Sequence, residues 1–428
     1  MLRRLEIAEA LAFEYEGDCG IDEAAYASSA SIVSDVRKEG RDALLSHAVR
    51  LRDLESESAK WFYGPEELKE AYDALPLKER GVLERCAERV RVFAQAQRDA
   101  ITDVEIPIVG GAAGHNVDPV EVAGCYAPGG RYPLPSSVLM TAITARVAGV
   151  KTVIVASPRP QPATLAAAHA AGASSLMAIG GPHAIAALAY GIESGSESIT
   201  ACDVIVGPGN KWVTAAKQIV SGRVKIDMLA GPSECLVLAD SSADPSIVAS
   251  DLIAQAEHDV AALPILVTTD ESMVAKVNEE LAAQLDRLPS PNKETAQESV
   301  CKGFSVVAST MDEACAICDR FAPEHLEVFT ADASEDAARL NHYGGLFIGE
   351  RSAEVFGDYA AGPNHVLPTG GTARYTGGLS VFTFLRIRTW MRIDDPSASQ
   401  PVVRDAVALA RIEGLEGHAR AAEKRILQ

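Results

Sequence analysis

The stretch "CDVIVGPGNKWVTAAKQIVSG", residues 202–222, decides the fold. A short apolar run, "VIV", meets a glycine turn, and a segment with apolar residues at helical spacing follows and ends at another glycine. That is strand, turn and helix. Two glycines between a strand and a helix leave backbone amides free to meet an anion such as a pyrophosphate. The dinucleotide fingerprint G-x-G-x-x-G is incomplete, since "GPGNKW" lacks the third glycine, and no Gly-Lys-Ser/Thr phosphate loop occurs. On its own the turn reads as an ordinary strand-to-helix connection.

The same alternation extends in both directions. "KTVIVAS" is a buried strand, "ATLAAAHAAGA" a helix ending at glycine, "SSLMAIGG" a strand and "PHAIAALAYG" a helix that begins with proline. His169, inside the second of these, reads as packing. A second block follows: strands "ECLVLAD", "LPILVTT" and "GFSVVAST" alternate with helices "PSIVASDLIAQAEHD" and "SMVAKVNEELAAQLDRL". Such alternation predicts an α/β fold with mostly parallel sheets covered by helices. Residues 22–100 read as helices, and "PIVGGAAGHNVDPVEVAGCYAP" as strands and turns with His115 in a turn. Residues 344–378 are rich in glycine, and residues 400–426 form an amphipathic helix or helix pair.

With 428 residues, 47% hydrophobic and 23% charged, the chain suits a globular protein of two or three domains. A net charge of −20 argues against nucleic acid and anionic membranes as partners. The most apolar stretch, "VLMTAITARVAGVKTVIVA", is interrupted by Arg146 and Lys151, so no membrane span is expected. Glu6 and Glu9 break the apolar run of the N-terminus, which reads as an amphipathic helix and not a signal peptide. The eight cysteines are scattered, and the one close pair, Cys315 and Cys318, lies in a helical pattern; buried thiols in a reduced cytoplasm are expected.

Candidate chemistry is spread along the chain. "FAPEHLEVF", residues 321–329, sets Glu324 beside His325. It reads either as an acid/base pair or as a helix start, where proline and an acid are at home. Gln255 and His258 lie three apart on one face of a helix and suit a divalent ion, most plausibly zinc; a histidine near a helix end is also common. Asp358 and His365 fall in the glycine-rich segment, and Glu413, Glu416 and His418 near the C-terminus. Asp358 also suits a local turn, and the C-terminal group a solvated helix face. An amide, a carboxylate and two imidazoles suffice for a tetrahedral site. In "YAPGGRYPLPSSVLM", Ser136 or Ser137 is placed to cap a helix, leaving Tyr126 and the Pro-Gly-Gly turn as cofactor contacts.

Taken together, "CYAPGGRYPLPSSVLMTAI", "VGPGNKWVTAAK", "DMLAGPSE", "AQAEHD", "APEHLE", "GDYAAGPNHVLPT" and "EGLEGHAR" resemble the histidinol dehydrogenase family in order and rough spacing, over nearly the whole chain. The resemblance implies oxidation of L-histidinol to L-histidine in two NAD-dependent steps. It implies one Zn2+ per chain, held by Gln255, His258, Asp358 and His418, with Glu324 and His325 as the acid/base pair. Ser233, His365 and Glu413 would lie near the substrate together with the zinc ligands and His325, and Tyr126, His183 and Asn210 near NAD. It further implies an intertwined homodimer that delivers His418 across its interface. Two incomplete Rossmann-like domains would be built from residues 23–125 with 236–379 and from 126–235, flanked by a helical arm, 1–22, and a tail, 380–428. The chain departs from the family at His183, where glutamine is usual, in a longer connector "IESGSESITACDVIVGPGN", in "EHDVAALPILV" after the zinc histidine, and in "GGLSVFTFLRIRTWMRI". A relative acting on another small alcohol, such as a sulfonated diol, is the nearest alternative, and a zinc hydrolase needing no NAD is an alternative of another class.

Overall fold

The computed structural model describes residues 1–15, 21–129, 133–359 and 361–427; Cys19 and Gly130 of the Pro-Gly-Gly turn lie outside them. Two six-stranded sheets carry the fold. The first has the order Phe62–Tyr63, Ser175–Met177, Thr152–Ala156, Val122–Tyr126, Val204–Val206, Lys225–Ile226. All of its pairings are parallel except that of Phe62–Tyr63. The second, wholly parallel, has the order Arg3–Leu5, Phe304–Val307, Leu263–Thr268, Glu234–Ala239, His325–Phe329, Gly345–Ile348.

The strand Thr152–Ala156 shows why the sequence folds this way. Val153 and Val155 enter one buried cluster, while Ile154 and Ala156 enter the cluster on the opposite face. Alternate side chains point to opposite faces, so a strand covered on both must be apolar throughout. Each fully buried Val or Ile contributes about 1.5–3 kcal/mol.

The domain boundaries differ from those expected. The helix Glu23–Glu39 packs on Gly181–Tyr190 and Lys211–Val220, and the helix Leu77–Asp99 on Pro135–Ala148. Residues 23–125 therefore belong with the first sheet, because Val33, Val36, Leu44 and Leu45 bury themselves against Ile185 and Leu188. The expected cut after residue 125 would divide the strand Val122–Tyr126. The N-terminal arm is not wholly helical: Arg3–Leu5 adds an edge strand to the second sheet before a short helix, Ile7–Leu11. The tail likewise opens with a strand, Leu385–Ile393, which forms an antiparallel ribbon with Gly111–Pro119 and Val104–Ile108. His115 sits within that ribbon and not in a turn. Among the described residues, no helix is long and apolar enough to cross a membrane.

The turn at 207–210 is tightly made. Gly207 has φ +114°, and a Cβ there would stand 2.0 Å from the Tyr126 carbonyl oxygen; only glycine allows that approach. Its N–H donates to Asp227 at 2.7 Å and its carbonyl accepts from Lys217 Nζ at 3.0 Å. Lys217 and Asp227 form an ion pair, their side chains 3% and 1% exposed. Removing one member of a buried pair strands the other charge, at roughly 3–5 kcal/mol. Lys217→Met should lower the unfolding free energy by about that amount in a urea titration. A change under about 1 kcal/mol would show that the pair does not brace the turn.

Candidate active site

Glu324 and His325 stand at the amino-terminal edge of the second sheet. The helix Met311–Phe321 stops at Ala322, whose φ is +48°. Pro323 then leads into the strand His325–Phe329. The proline opens a strand and not a helix, so the helix-start reading of Glu324 fails. Both residues are buried, Glu324 to 7% exposure and His325 to 4%.

Hydrogen bonds fix the pair. Glu324 Oε2 accepts from the Glu234 N–H at 3.0 Å, while the Glu324 N–H donates to Glu234 Oε2 at 3.3 Å. His325 Nδ1 lies 3.1 Å from the Glu234 carbonyl oxygen. A carbonyl only accepts, so Nδ1 carries the ring proton of the neutral imidazole. Nε2 is left with its lone pair and has no hydrogen-bond partner. Burial lowers the His325 pKa, against the opposing pull of Asp358, and so favours the neutral ring. Burial, followed by the charge of Glu234, lifts Glu324 well above the usual carboxylate range.

His325 opens onto a cavity of ≈ 380 Å³ that is also lined by Phe347, Arg351, Asp358, Asn364 and His365. Asp358, on the helix Glu354–Tyr359, has Oδ1 3.9 Å from His325 Nε2. His365 Nδ1 lies 2.8 Å from the Asp358 carbonyl, and its Nε2 lies 3.4 Å from Ser137 Oγ. Ser137 is thus buried against His365 rather than capping a helix; Pro135–Ala148 has no side-chain cap. Ser233 lies against the Glu324 carboxyl.

Gln255 closes the helix Pro245–Ala256, 1% exposed, and its Oε1 is buried without a hydrogen-bond partner. His258 follows just beyond the helix, exposed and near enough to influence both His325 and His365. The fold thus brings Gln255, His258, Asp358, His325, His365 and Ser233 to one region. It does not bring Glu413 or His418, which are exposed on two tail helices packed on each other, Gln400–Ile412 and Glu416–Glu423. Among the described residues, no three His, Cys, Asp or Glu side chains of one chain are gathered to hold an ion.

Tyr126, His183 and Asn210 lie at the carboxyl ends of first-sheet strands, the usual ligand edge of an open α/β sheet. Two of them are engaged internally. The Tyr126 hydroxyl accepts from the Gly181 N–H at 3.1 Å, and burial pushes its pKa up to about 12. His183, 1% exposed, has Nε2 3.1 Å from Asp53 Oδ2, and burial lowers its pKa. Asn210 is exposed, and its side chain accepts from the Val213 N–H at 3.2 Å to cap Lys211–Val220. In the longer connector, Glu197 accepts from the Trp61 indole N–H at 3.1 Å, ahead of the strand Val204–Val206.

Sequence reasoning missed Glu234, Ser137, Asp53 and Arg351. Glu234 carried a signal, its place in "AGPSE" directly before a strand. The others sit in patterns fully explained by helix or loop.

The sequence profile of the histidinol dehydrogenase family matches residues 21–426. A histidinol dehydrogenase of Ralstonia nicotianae is 41% identical over 99% of this chain and 98% of its own length. The sulfopropanediol 3-dehydrogenase of Ruegeria pomeroyi is 41% identical over 92% and 91%. The crystal structure of histidinol dehydrogenase from Elizabethkingia anophelis superposes with a TM-score of 0.90 at 29% identity, covering 99% of this chain and 98% of that one. The two-sheet scaffold is that of a dehydrogenase. The chain belongs to the histidinol dehydrogenase family, whose members are NAD-dependent oxidoreductases.

Asp53 ties the His183 ring and the Gly180 N–H, at 2.9 Å, to one carboxylate. Asp53→Ala orphans both groups and should lower stability by roughly 1–3 kcal/mol for each. Thermal melts alongside Asp53→Asn, which keeps one acceptor, measure this. Equal melting of Ala variant and parent would refute it.

Proposed function

We propose that this protein oxidises L-histidinol through the aldehyde to L-histidine, in two NAD-linked steps. The observation that carries the reading is the state of His325: Nδ1 tied to a carbonyl, Nε2 free at the cavity, the ring kept neutral by burial. In the first step Nε2 takes the hydroxyl proton, and NAD supplies the hydride acceptor. In the second, water adds to the aldehyde beside Glu324. A carboxyl lifted above its usual range can exchange protons nearer neutral pH than an exposed carboxylate can. The N–H groups of Gly209 and Asn210 are assigned to the NAD phosphates, with Tyr126 and His183 shaping the loop behind them.

Zinc fits the donors present. The buried, unpartnered Oε1 of Gln255, the His258 imidazole and the Asp358 carboxylate are ligand-type atoms from one chain. The fourth ligand, His418, is assigned to a second copy, as is Glu413. Zinc there supplies a Lewis-acid anchor for the nitrogen atoms of the substrate, and the protein's own groups then orient the alcohol beside His325. The intertwined homodimer is supported by the tail strand: Ile387, Met391 and Ile393 line one face, 56%, 65% and 38% exposed. An apolar face of that kind calls for a partner. The seven described cysteines are free thiols, in keeping with a cytoplasmic location.

A second reading has its own observation. Arg351 lines the cavity without an ion-pair partner among the described residues, and one relative is named a sulfopropanediol dehydrogenase. A guanidinium suits a sulfonate and opposes an ammonium. Incubating the zinc-loaded protein and NAD with L-histidinol or with 2,3-dihydroxypropane sulfonate, and following nicotinamide reduction, separates the two. Reduction with neither, together with metal-dependent hydrolysis of an amide, would favour a zinc hydrolase.

The two steps should respond differently to substitution. Glu324→Gln should slow oxidation of the aldehyde far more than that of the alcohol. His325→Asn should slow the alcohol step on the order of 100- to 10,000-fold. Full aldehyde turnover in Glu324→Gln would remove the carboxylate from water activation.

The metal assignment is tested by elemental analysis, where His258→Ala should lose most of the zinc held by the parent. Mixing inactive His418→Ala and His325→Ala chains under subunit exchange should restore part of the activity. No recovery despite proven mixing would refute a cross-chain site.

A further inference from the structure

We propose that Glu234 is the positioning residue of the acid/base pair, acting through Glu324 and His325 and not on the substrate; this rests on the two-step oxidation described above. The basis is geometric. Cys235 and His325 are paired in register on adjacent parallel strands, so Glu234 and Glu324 are the residues that enter those strands side by side. Each donates its N–H to the other's carboxylate, at 3.0 and 3.3 Å, and the Glu234 carbonyl holds His325 Nδ1 at 3.1 Å. One residue therefore fixes the carboxylate of Glu324, its backbone and the tautomer of His325.

Glu234 is itself held from outside the pair. Its Oε1 accepts from the Gly370 N–H at 2.6 Å, and its Oε2 lies 3.1 Å from the Tyr15 hydroxyl, which lies equally 3.1 Å from the Phe321 carbonyl oxygen. Gly370 belongs to the glycine-rich loop that follows His365, and Tyr15 to the N-terminal arm. The Tyr15 ring is edge-on to Phe13 at 5.1 Å, and Phe13 packs on Phe321 at the end of the helix before Ala322. Glu234 is 3% exposed and is not among the residues lining the His325 cavity. Glu234 instead borders a separate cavity of ≈ 600 Å³ with Tyr15 and Gly370, so its carboxyl is turned towards these neighbours and away from the His325 cavity. Its work is orientation: a misplacement of about 1 Å at a reacting group costs on the order of 100-fold in rate.

Three variants of the full-length, zinc-supplemented protein test this with L-histidinol and 2,3-dihydroxypropane sulfonate as alcohols. Glu234→Ala strands three donors and should lower kcat by about 10- to 100-fold while KM stays within about threefold. Glu234→Gln keeps one acceptor and replaces the other by an amide donor, and should retain kcat within about fivefold. Tyr15→Phe removes a single donor, keeps the ring packing and should lower kcat by up to about fivefold, the equivalent of one hydrogen bond; it covers the case in which Glu234→Ala does not fold. Unchanged kcat in Tyr15→Phe and Glu234→Ala, or a loss confined to KM, would overturn the assignment. So would Glu234→Gln as damaged as Glu234→Ala.

The crystal structure of Glu234→Ala gives a readout that needs no turnover. Glu324 displaced from the Glu234 N–H, with His325 turned off the carbonyl, supports the positioning role. An unmoved pair overturns it. Should the parent reduce NAD with neither alcohol, the oxidation reading falls, and the crystal structure, or that of Glu234→Gln if the Ala variant does not fold, decides the role of Glu234 alone.

Discussion

The short crossing at residues 227–233 holds the two sheets in their working relation. It leaves the first sheet after Lys225–Ile226 and enters the second at Glu234. Three attachments pin it: Asp227 pairs with buried Lys217, the Ala230 carbonyl accepts from Thr214 at 3.0 Å, and the Gly231 N–H donates to Thr369 at 2.6 Å. As a result the carboxyl edge of one sheet opens towards the amino edge of the other.

Burying the Glu–His pair has an electrostatic consequence. Glu234, Glu324, Glu327 and Glu354 are all buried, and burial raises the pKa of each, Glu234 to about 7. Asp251, partly buried, is raised by the same cause. For such groups the folded state binds more protons than the unfolded one, so this contribution to stability falls as pH rises from the unfolded pKa towards the folded one. The cluster is a burden on the fold at neutral pH. What it provides is a carboxyl and an imidazole able to exchange protons there, the common trade of active-site stability against activity.

The sheets were legible because they are governed by local pattern. A strand such as Thr152–Ala156, apolar at every position, has few other options. Helical periodicity marked most of residues 22–100 but hid the edge strand Phe62–Tyr63, and it tells which face is buried and not against what. Hence those helices were assigned to the wrong sheet, and only the packing of Val33 and Leu44 against Ile185 and Leu188 settles it. At the site, the residue types were legible and their surroundings were not. Pro323 suggested a helix start because the left-handed Ala322 that ends the previous helix leaves no mark in the sequence. Ser137 was explained by capping, since its approach to His365 joins positions 228 residues apart. Glu413 and His418 are in the same position: within one chain, nothing local distinguishes them from a solvated helix face.

The Arg351 loop differs from the rest of the cavity in how it is held. Arg351 and Ser352 lie between the strand Gly345–Ile348 and the helix Glu354–Tyr359, with Arg351 exposed and without an ion-pair partner among the described residues. Exposed positions of this kind usually accept substitution within about 0.5 kcal/mol. The Glu–His pair, by contrast, is buried and tied to Glu234 through main-chain N–H groups and carboxylates. Selection can therefore rework the charge at the rim while the oxidising centre stays intact. One scaffold can in this way carry a different charge at the rim of the cavity without disturbing the bonds that hold the pair.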